Sequence, residues 1–239
     1  MKLCELMRDT GTLPGRYPEE MEIQGVCCDS RRIELGFAFV CIRGTAMDGH
    51  DYARQAAESG AAVIVAEHPV DLGNAGDVCL VLVESGRKAW ARMCANWFGN
   101  PAERLHLIGV TGTNGKTTTT YLLKTILEAN GEKVGLIGTI QNMIGERVLA
   151  SGHTTPDPYD LQSMLSLMVA EGCGYAVMEV SSHALDQDRV EGCNFDAAIF
   201  TNLTQDHLDY HGTMENYLAA KKRLFSLCKT AILNQDDDW

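Results

Sequence analysis

The stretch GVTGTNGKTTTT, residues 109–120, decides how this chain is read. LHLIGV (105–110) is a short apolar run of the kind that forms a buried strand, and the residues from about Thr117 to Asn130 predict a helix. Leu122, Leu123, Ile126 and Leu127 give that helix one apolar face, and Gly131 ends it. A glycine loop between a strand and a helix start is a phosphate cradle. Backbone N–H groups face the oxygens, Lys116 adds a point charge, and the Thr117 hydroxyl can reach a magnesium ion. The spelling departs from G-x-x-x-x-G-K-[ST], because Val110 stands where the first glycine belongs and the glycines fall at 112 and 115. An ATP or GTP site with displaced glycines is the expectation.

Outward from the loop, strands and helices alternate. KVGLIGTI (133–140), YAVMEV (175–180) and AAIFTNL (197–203) read as strands. A helix starts after Asp157, which can cap it, with Pro158 at its first position and Asp160 in its first turn; another helix starts near Met214. The final residues, AILNQDDDW, end what reads as a further strand. Upstream, GFAFVCI (36–42), AAVIVAE (61–67) and VCLVLVE (78–84) read as strands, with DYARQAAES and GRKAWARMCANWF as helices, and Gly99, Asn100 and Pro101 stop the last of these. The expected architecture is α/β in two domains, 1–103 and 104–239, the second with a mostly parallel sheet and ligand groups at the strands' carboxyl ends.

Composition narrows the function classes. Of 239 residues, 45% are hydrophobic and 22% charged, which suits a folded globular chain. The formal net charge of −12 argues against a nucleic-acid partner, which needs clustered basic residues. No run nears the roughly 20 apolar residues of a membrane span, and MKLCELMRDT lacks a signal-like apolar core, so a cytoplasmic, membrane-free monomer is expected. Nine cysteines without a C-x-x-C, the only close pair being Cys27 and Cys28, favour reduced thiols over structural zinc or disulfides.

Three side chains stand out. Glu179 ends an apolar strand, where a carboxylate either faces a ligand or cation or caps the following turn. His207 lies just past AAIFTNL between Asp206 and Asp209; a lone histidine is more often hydrogen-bonded within the fold, with Asp206 here to tune its pKa, and His211 and His68 are read as structural. Lys221 falls inside the stripe Met214, Tyr217, Leu218, Leu224, Phe225 and Cys228, whereas Lys222 and Arg223 point elsewhere. An inward lysine either snorkels or reacts with a lowered pKa.

GTNGKTT (112–118), MEVSSHALDQDRV (178–190) and TNLTQDHLDYHG (201–212), with DSRRIELGFAF (29–39) and HTTPDP (153–158), resemble the Mur ligase family, the ATP-dependent amide-forming enzymes of peptidoglycan synthesis. Within the family the pattern is most like the MurE type, which adds the third stem-peptide residue to UDP-N-acetylmuramoyl-L-alanyl-D-glutamate. The resemblance spans essentially the whole chain. It implies a small N-terminal α/β domain for the UDP-substrate and a P-loop-type central ATPase domain that is incomplete at its carboxyl end. Gly112, Thr113, Asn114, Gly115, Lys116, Thr117 and Thr118 would hold ATP. Lys116, Glu179, His207 and Lys221 would be catalytic. Thr117, Glu179, His207 and a CO2-carbamylated Lys221 would hold two magnesium ions. Ser30, Thr154, Thr155, Ser181, Gln187 and Arg189 would contact the UDP-muramoyl-dipeptide, Arg189 as a forked cation for a carboxylate or diphosphate; a surface ion pair is its other reading.

The pattern departs from the family at GTAMDG (44–49), where some members carry His-Gln-Ala, so backbone rather than side-chain contacts are expected of Thr45, Ala46 and Met47. Family members continue into a carboxyl-terminal domain that binds the diamino acid and closes over ATP. The 239 residues are therefore expected to be incomplete and unable to ligate alone, with the acceptor, meso-diaminopimelate or L-lysine, left open. The α/β segment ahead of Gly112 argues against a folylpolyglutamate-type ligase. A MurF-type ligase acting on the UDP-muramoyl-tripeptide, and a nucleotide-binding or NTPase module without ligase function, stay as alternatives.

Overall fold

Four short parallel strands build the first half of the chain. In the computed structural model, which describes residues 1–44, 47–237 and 239, α1 (Leu3–Leu6), β1 (Gly25–Cys27), β2 (Phe37–Val40), α2 (Ala53–Glu58), β3 (Val63–Ala66), β4 (Cys79–Leu82) and α3 (Gly86–Trp97) make one compact unit, Met1–Trp97. Its sheet runs β1-β2-β3-β4, parallel throughout. Every residue of the VIVA run in β3 is buried, as a parallel strand covered on both faces requires. β1 has no counterpart in the sequence reading, because GVC is too short to show a period. Thr45 and Ala46, whose backbone contacts were anticipated above, lie outside the described residues.

The second unit, Phe98–Trp239, carries β5 (His106–Thr111), α4 (Lys116–Ala129), β6 (Val134–Ile137), β7 (Asn142–Ile144), β8 (Arg147–Leu149), α5 (Pro158–Ala170), β9 (Tyr175–Glu179), α6 (Ser182–Asp186), β10 (Phe195–Phe200), α7 (Leu208–His211), α8 (Met214–Lys222) and β11 (Cys228–Leu233). Ala102 and Leu105 pack in its core. The sheet order is β11-β10-β5-β9-β6-β7-β8. Pairing is parallel from β11 to β6, and the unpredicted β7–β8 hairpin adds an antiparallel edge. β5 is thus central, flanked by β9 and β10, and the segments leaving their carboxyl ends gather where open α/β sheets bind ligands. Among the described residues no helix is long and apolar enough to cross a membrane.

Two apolar layers clamp this sheet. Leu161, Leu165 and Met168 of α5 pack with Leu107, Met178 and Phe195 on one face, and Leu123 and Leu127 of α4 cover Val110, Leu136 and Val177 on the other. The apolar face read for α4 is corrected here: Leu122 and Ile126 are exposed, at 58% and 64%. The inward stripe is Thr120, Leu123, Lys124 and Leu127, an i, i+3, i+4, i+7 series whose polar members hid it. Lys124 survives burial because it pairs with Glu128 one turn on.

Two further expectations change. The Asp157 backbone takes the cap position of α5, but its carboxylate turns to Arg189 Nε at 3.2 Å and makes no capping bond. The stripe around Lys221 stops with α8 at Lys222; Leu224 packs from the following 3-10 turn, and Cys228 opens β11.

Candidate active site

The loop after β5 is braced from the segment after β10. Thr113 N–H donates to Asn202 O (2.8 Å) and Asn114 N–H to Asn202 Oδ1 (3.0 Å). Thr201 Oγ1 donates to Asn114 O at 2.7 Å, and Thr204 N–H donates to Thr113 Oγ1 at 3.0 Å. Gly112 sits at φ +143°, and a Cβ there would lie 1.9 Å from Thr201 Oγ1, so the loop needs glycine at this point. Gly115, at φ +85°, turns the chain into α4, whose first N–H groups have no partner inside the helix and are free to meet an anion.

Glu179 is 1% exposed at the end of β9. Thr117 Oγ1 donates to its Oε2 at 3.0 Å; Thr139 donates its N–H to Oε1 at 2.9 Å and its hydroxyl to Oε2 at 3.0 Å. A Cβ on Gly138 would come within 2.4 Å of Oε1, so the neighbouring glycine leaves the carboxylate its room. Two hard oxygen ligands beside a phosphate cradle suit magnesium, which keeps waters and phosphate oxygens for the rest of its shell. Among the described residues no group of three or more His, Cys, Asp or Glu side chains could hold a metal on protein ligands alone.

Two lysines converge on one carbonyl. Lys116 Nζ donates to Gly112 O and Thr113 O, both at 2.9 Å, and Lys221 Nζ donates to Gly112 O at 2.8 Å from the opposite element. Lys221 is 1% exposed, forms no ion pair among the described residues, and lies 4.3 Å from the centroid of the Tyr217 ring, whose hydroxyl is 3.2 Å from Thr113 Oγ1. Burial and then the charge of Lys116 push its pKa down to about 7, with Asp206 opposing. Burial also lowers Lys116, against the pull of Glu179 and Asp206.

His207, held at φ +52°, has its Nε2 3.6 Å from Asp206, and its ring meets His183 edge-on at 4.9 Å. No hydrogen bond or ion pair joins His207 to Glu179 or Lys221 among the described residues. His211 is buried and 2.9 Å from Ser182 Oγ, a satisfied histidine within the fold, whereas the exposed His68 stacks on His50 in the first unit.

The substrate-side candidates of this unit form one network. Thr155, 1% exposed, donates to Glu179 O (2.9 Å) and accepts from Ser181 N–H (3.0 Å), while Ser181 Oγ caps α6 through Ala184 N–H (3.2 Å). Arg189 donates to Gln187 Oε1 through Nε (3.1 Å) and Nη2 (2.8 Å), and to Thr155 O through Nη1 (3.1 Å). Its side chain is 20% exposed, and its Nε also pairs at 3.2 Å with the Asp157 carboxylate, which is 59% exposed. Thr155→Val removes a buried donor and leaves Ser181 N–H unpaired. We expect it to cost about 2 kcal/mol of stability in urea unfolding, with a change below half that meaning water replaces the hydroxyl.

In the first unit Ser30 opens the 3-10 turn Ser30–Arg32, held by Asp29 accepting from Arg31. Ser30, Phe39, Met47, Tyr52 and Gln55 line a cavity of about 630 Å³, within the size range of small-molecule sites. The sequence reading missed Thr139, Asn202, Thr204 and Tyr217. For Asn202 and Thr204 a signal existed, since TNLT puts three polar side chains directly beyond an apolar strand.

The family described as Mur ligase middle domain matches residues 110–239, and that described as Mur ligase family, catalytic domain, matches residues 22–97. This chain belongs to the Mur ligase family. Among its Mur ligase relatives is the UDP-N-acetylmuramoyl-L-alanyl-D-glutamate--2,6-diaminopimelate ligase of Caldanaerobacter subterraneus subsp. tengcongensis, 50% identical over 220 residues, which are 92% of this chain and 45% of that protein. The enzyme of the same name from Bacillus cereus is 48% identical over 247 residues, covering 100% of this chain and 50% of the relative. A solved structure of a ligase so named superposes with a TM-score of 0.80 at 29% identity, over 100% of this chain and 48% of that one. MurF from Acinetobacter baumannii shares the Mur ligase fold at a TM-score of 0.57 and 24% identity, over 93% and 46% of the two chains. The chain spans about half the length of the curated relatives it matches.

Proposed function

We propose that the protein acts in the cytoplasm as an ATP-dependent amide ligase of peptidoglycan precursor synthesis. It would join the D-glutamyl γ-carboxylate of UDP-N-acetylmuramoyl-L-alanyl-D-glutamate to an amine of 2,6-diaminopimelate, the acceptor in the names of the two relatives above. The observation that carries this is the convergence of Lys116 and Lys221 on Gly112 O beside the Thr117–Glu179 pair. A second, almost unexposed amine with no carboxylate partner among the described residues suits transfer between two anions, which needs charge control on both sides of the phosphoryl group.

In this reading the loop N–H groups and α4 bind the phosphates of ATP, and Lys116 exchanges its two loop carbonyls for phosphate oxygens. The acceptor carboxylate takes the γ-phosphoryl group, which turns a poor leaving group into a good one, and the incoming amine then displaces phosphate. Thr117 and Glu179 would hold one magnesium ion, and His207 with a carbamylated Lys221 a second; the ions would offset phosphoryl charge. The neutral amine of Lys221, present near pH 7, would add CO2: an N–C bond forms as one C=O π bond opens onto oxygen, and one proton leaves the nitrogen for solvent, so that, counting the proton already lost by the ammonium form, a buried cation gives way to an anion. Thr154, Thr155, Ser181, Gln187 and Arg189 shape the acceptor side, and Ser30 the uridine side. Positioning of the two reactants supplies most of the remaining rate.

Calorimetric titration separates this reading from its rivals. The chain is expected to bind UDP-N-acetylmuramoyl-L-alanyl-D-glutamate about tenfold or more tighter than the corresponding UDP-muramoyl-tripeptide. Tighter tripeptide binding would make it MurF-like, and ATP binding with neither muramoyl ligand would reduce it to a nucleotide-binding module.

A further inference from the structure

We infer that Thr139 is a positioning residue, holding the Glu179 carboxylate in one plane and tying it to the acceptor-side segment through Thr154. The inference rests on the reading of Glu179 as a magnesium contact.

Thr139 lies just past β6, in an exposed bend, yet among the described residues it is the one that grips both oxygens of a carboxylate 40 positions away: N–H to Oε1 at 2.9 Å and hydroxyl to Oε2 at 3.0 Å. Two donors from a single rigid residue fix the carboxylate's rotation, which a single contact leaves free. Thr117 fixes only the second oxygen. The bend is itself pinned. Gly138 N–H donates to Oδ1 of the buried Asn142 (3.2 Å), and Ser151 Oγ donates to Gly138 O (2.7 Å).

Proton direction then follows. An ionised carboxylate only accepts, so the Thr139 hydroxyl spends its proton on Glu179. At the 3.0 Å Thr139–Thr154 contact Thr139 must therefore accept and Thr154 donate. Thr154 begins the TT pair of HTTP, and its neighbour Thr155 donates to the backbone oxygen of the same Glu179. The segment is thus joined to Glu179 twice, through the carboxylate by way of Thr139 and through the main chain directly. Hydroxyl partners that orient a cation-binding carboxylate are commonly worth about tenfold or more in metal affinity.

The test is a magnesium titration of the full chain with the ATP analogue AMP-PCP, followed by calorimetry. Thr139→Val is expected to raise the magnesium midpoint about tenfold, to leave metal-free AMP-PCP affinity unchanged, and to be rescued by Thr139→Ser. Unchanged metal-free affinity shows that the loop is folded, a result that a merely structural defect would not give. Glu179→Gln is the reference. If it shifts the midpoint and Thr139→Val does not, the inference about Thr139 is overturned and Glu179 keeps its role. If Glu179→Gln also leaves the midpoint in place, or if magnesium has no effect on the wild-type chain, the reading of Glu179 fails and takes the inference with it. Loss of metal-free affinity in Thr139→Val, or failure of serine to rescue, makes Thr139 a structural residue only.

Discussion

Lys221→Met is expected to flatten the pH dependence of stability that a buried lysine gives the wild-type chain. A lysine whose folded pKa is about 7 against an ordinary 10.5 binds fewer protons folded than unfolded between those values, so stability rises with pH across that window. Below pH 7 both states hold the proton and the cost of burying the charge is present in full; above 10.5 it is gone. Methionine has neither the charge nor the slope. In CO2-free buffer, the stability of the variant relative to wild type is therefore expected to fall by about 2 kcal/mol between pH 7 and pH 9. Urea unfolding at the two pH values measures it, and a constant difference would mean that the buried amine stays charged throughout. The same pair of proteins tests the modification. In bicarbonate, native mass spectrometry of the wild type should show one added CO2, and Lys221→Met none; adducts on both would move the modification to another residue.

Gly112→Ala should be the most damaging change in the nucleotide loop. At φ +143° an L-residue is strained, and the new methyl would meet Thr201 Oγ1 at 1.9 Å and the Asn202 backbone at 3.1 Å. Thr201 cannot simply turn away, because its hydroxyl donates to Asn114 O. The expected cost is about 3 kcal/mol of stability and on the order of a hundredfold in ATP affinity, since carbonyl 112 also anchors both lysines. Adding Thr201→Ala removes the clash but not the backbone strain, so it should restore only part of the loss. Wild-type ATP binding by the single variant would show that the loop does not close around the phosphates as described.

Where a side chain contradicts its local surroundings, sequence was enough. Glu179 is a carboxylate at the end of YAVME and Lys221 an amine within an apolar stripe, and both proved almost fully buried. The same logic misled at α4, where polar Thr120 and Lys124 occupy the inward stripe and the leucine and isoleucine at 122 and 126 face out. Helical periodicity gives the spacing of a face, but which of two overlapping stripes turns inward depends on the strands beneath it. Asp157 failed as a side-chain cap for a related reason: a guanidinium 32 positions along the chain competes for its carboxylate.

The sequence by itself determined the alternation of strands and helices, the phosphate loop and the identity of the buried acid and amine, because each is written in residues within a few positions of one another. Only the tertiary structure decided that two lysines share one carbonyl, that Thr139 joins Thr117 in holding Glu179, and that Arg189 is spent on Gln187, Asp157 and Thr155. Apart from the local Lys116–Gly112 and Gln187–Arg189 bonds, those pairings join segments tens of residues apart. They depend on strand order, which places β5 between β9 and β10 and so brings their carboxyl ends to one place.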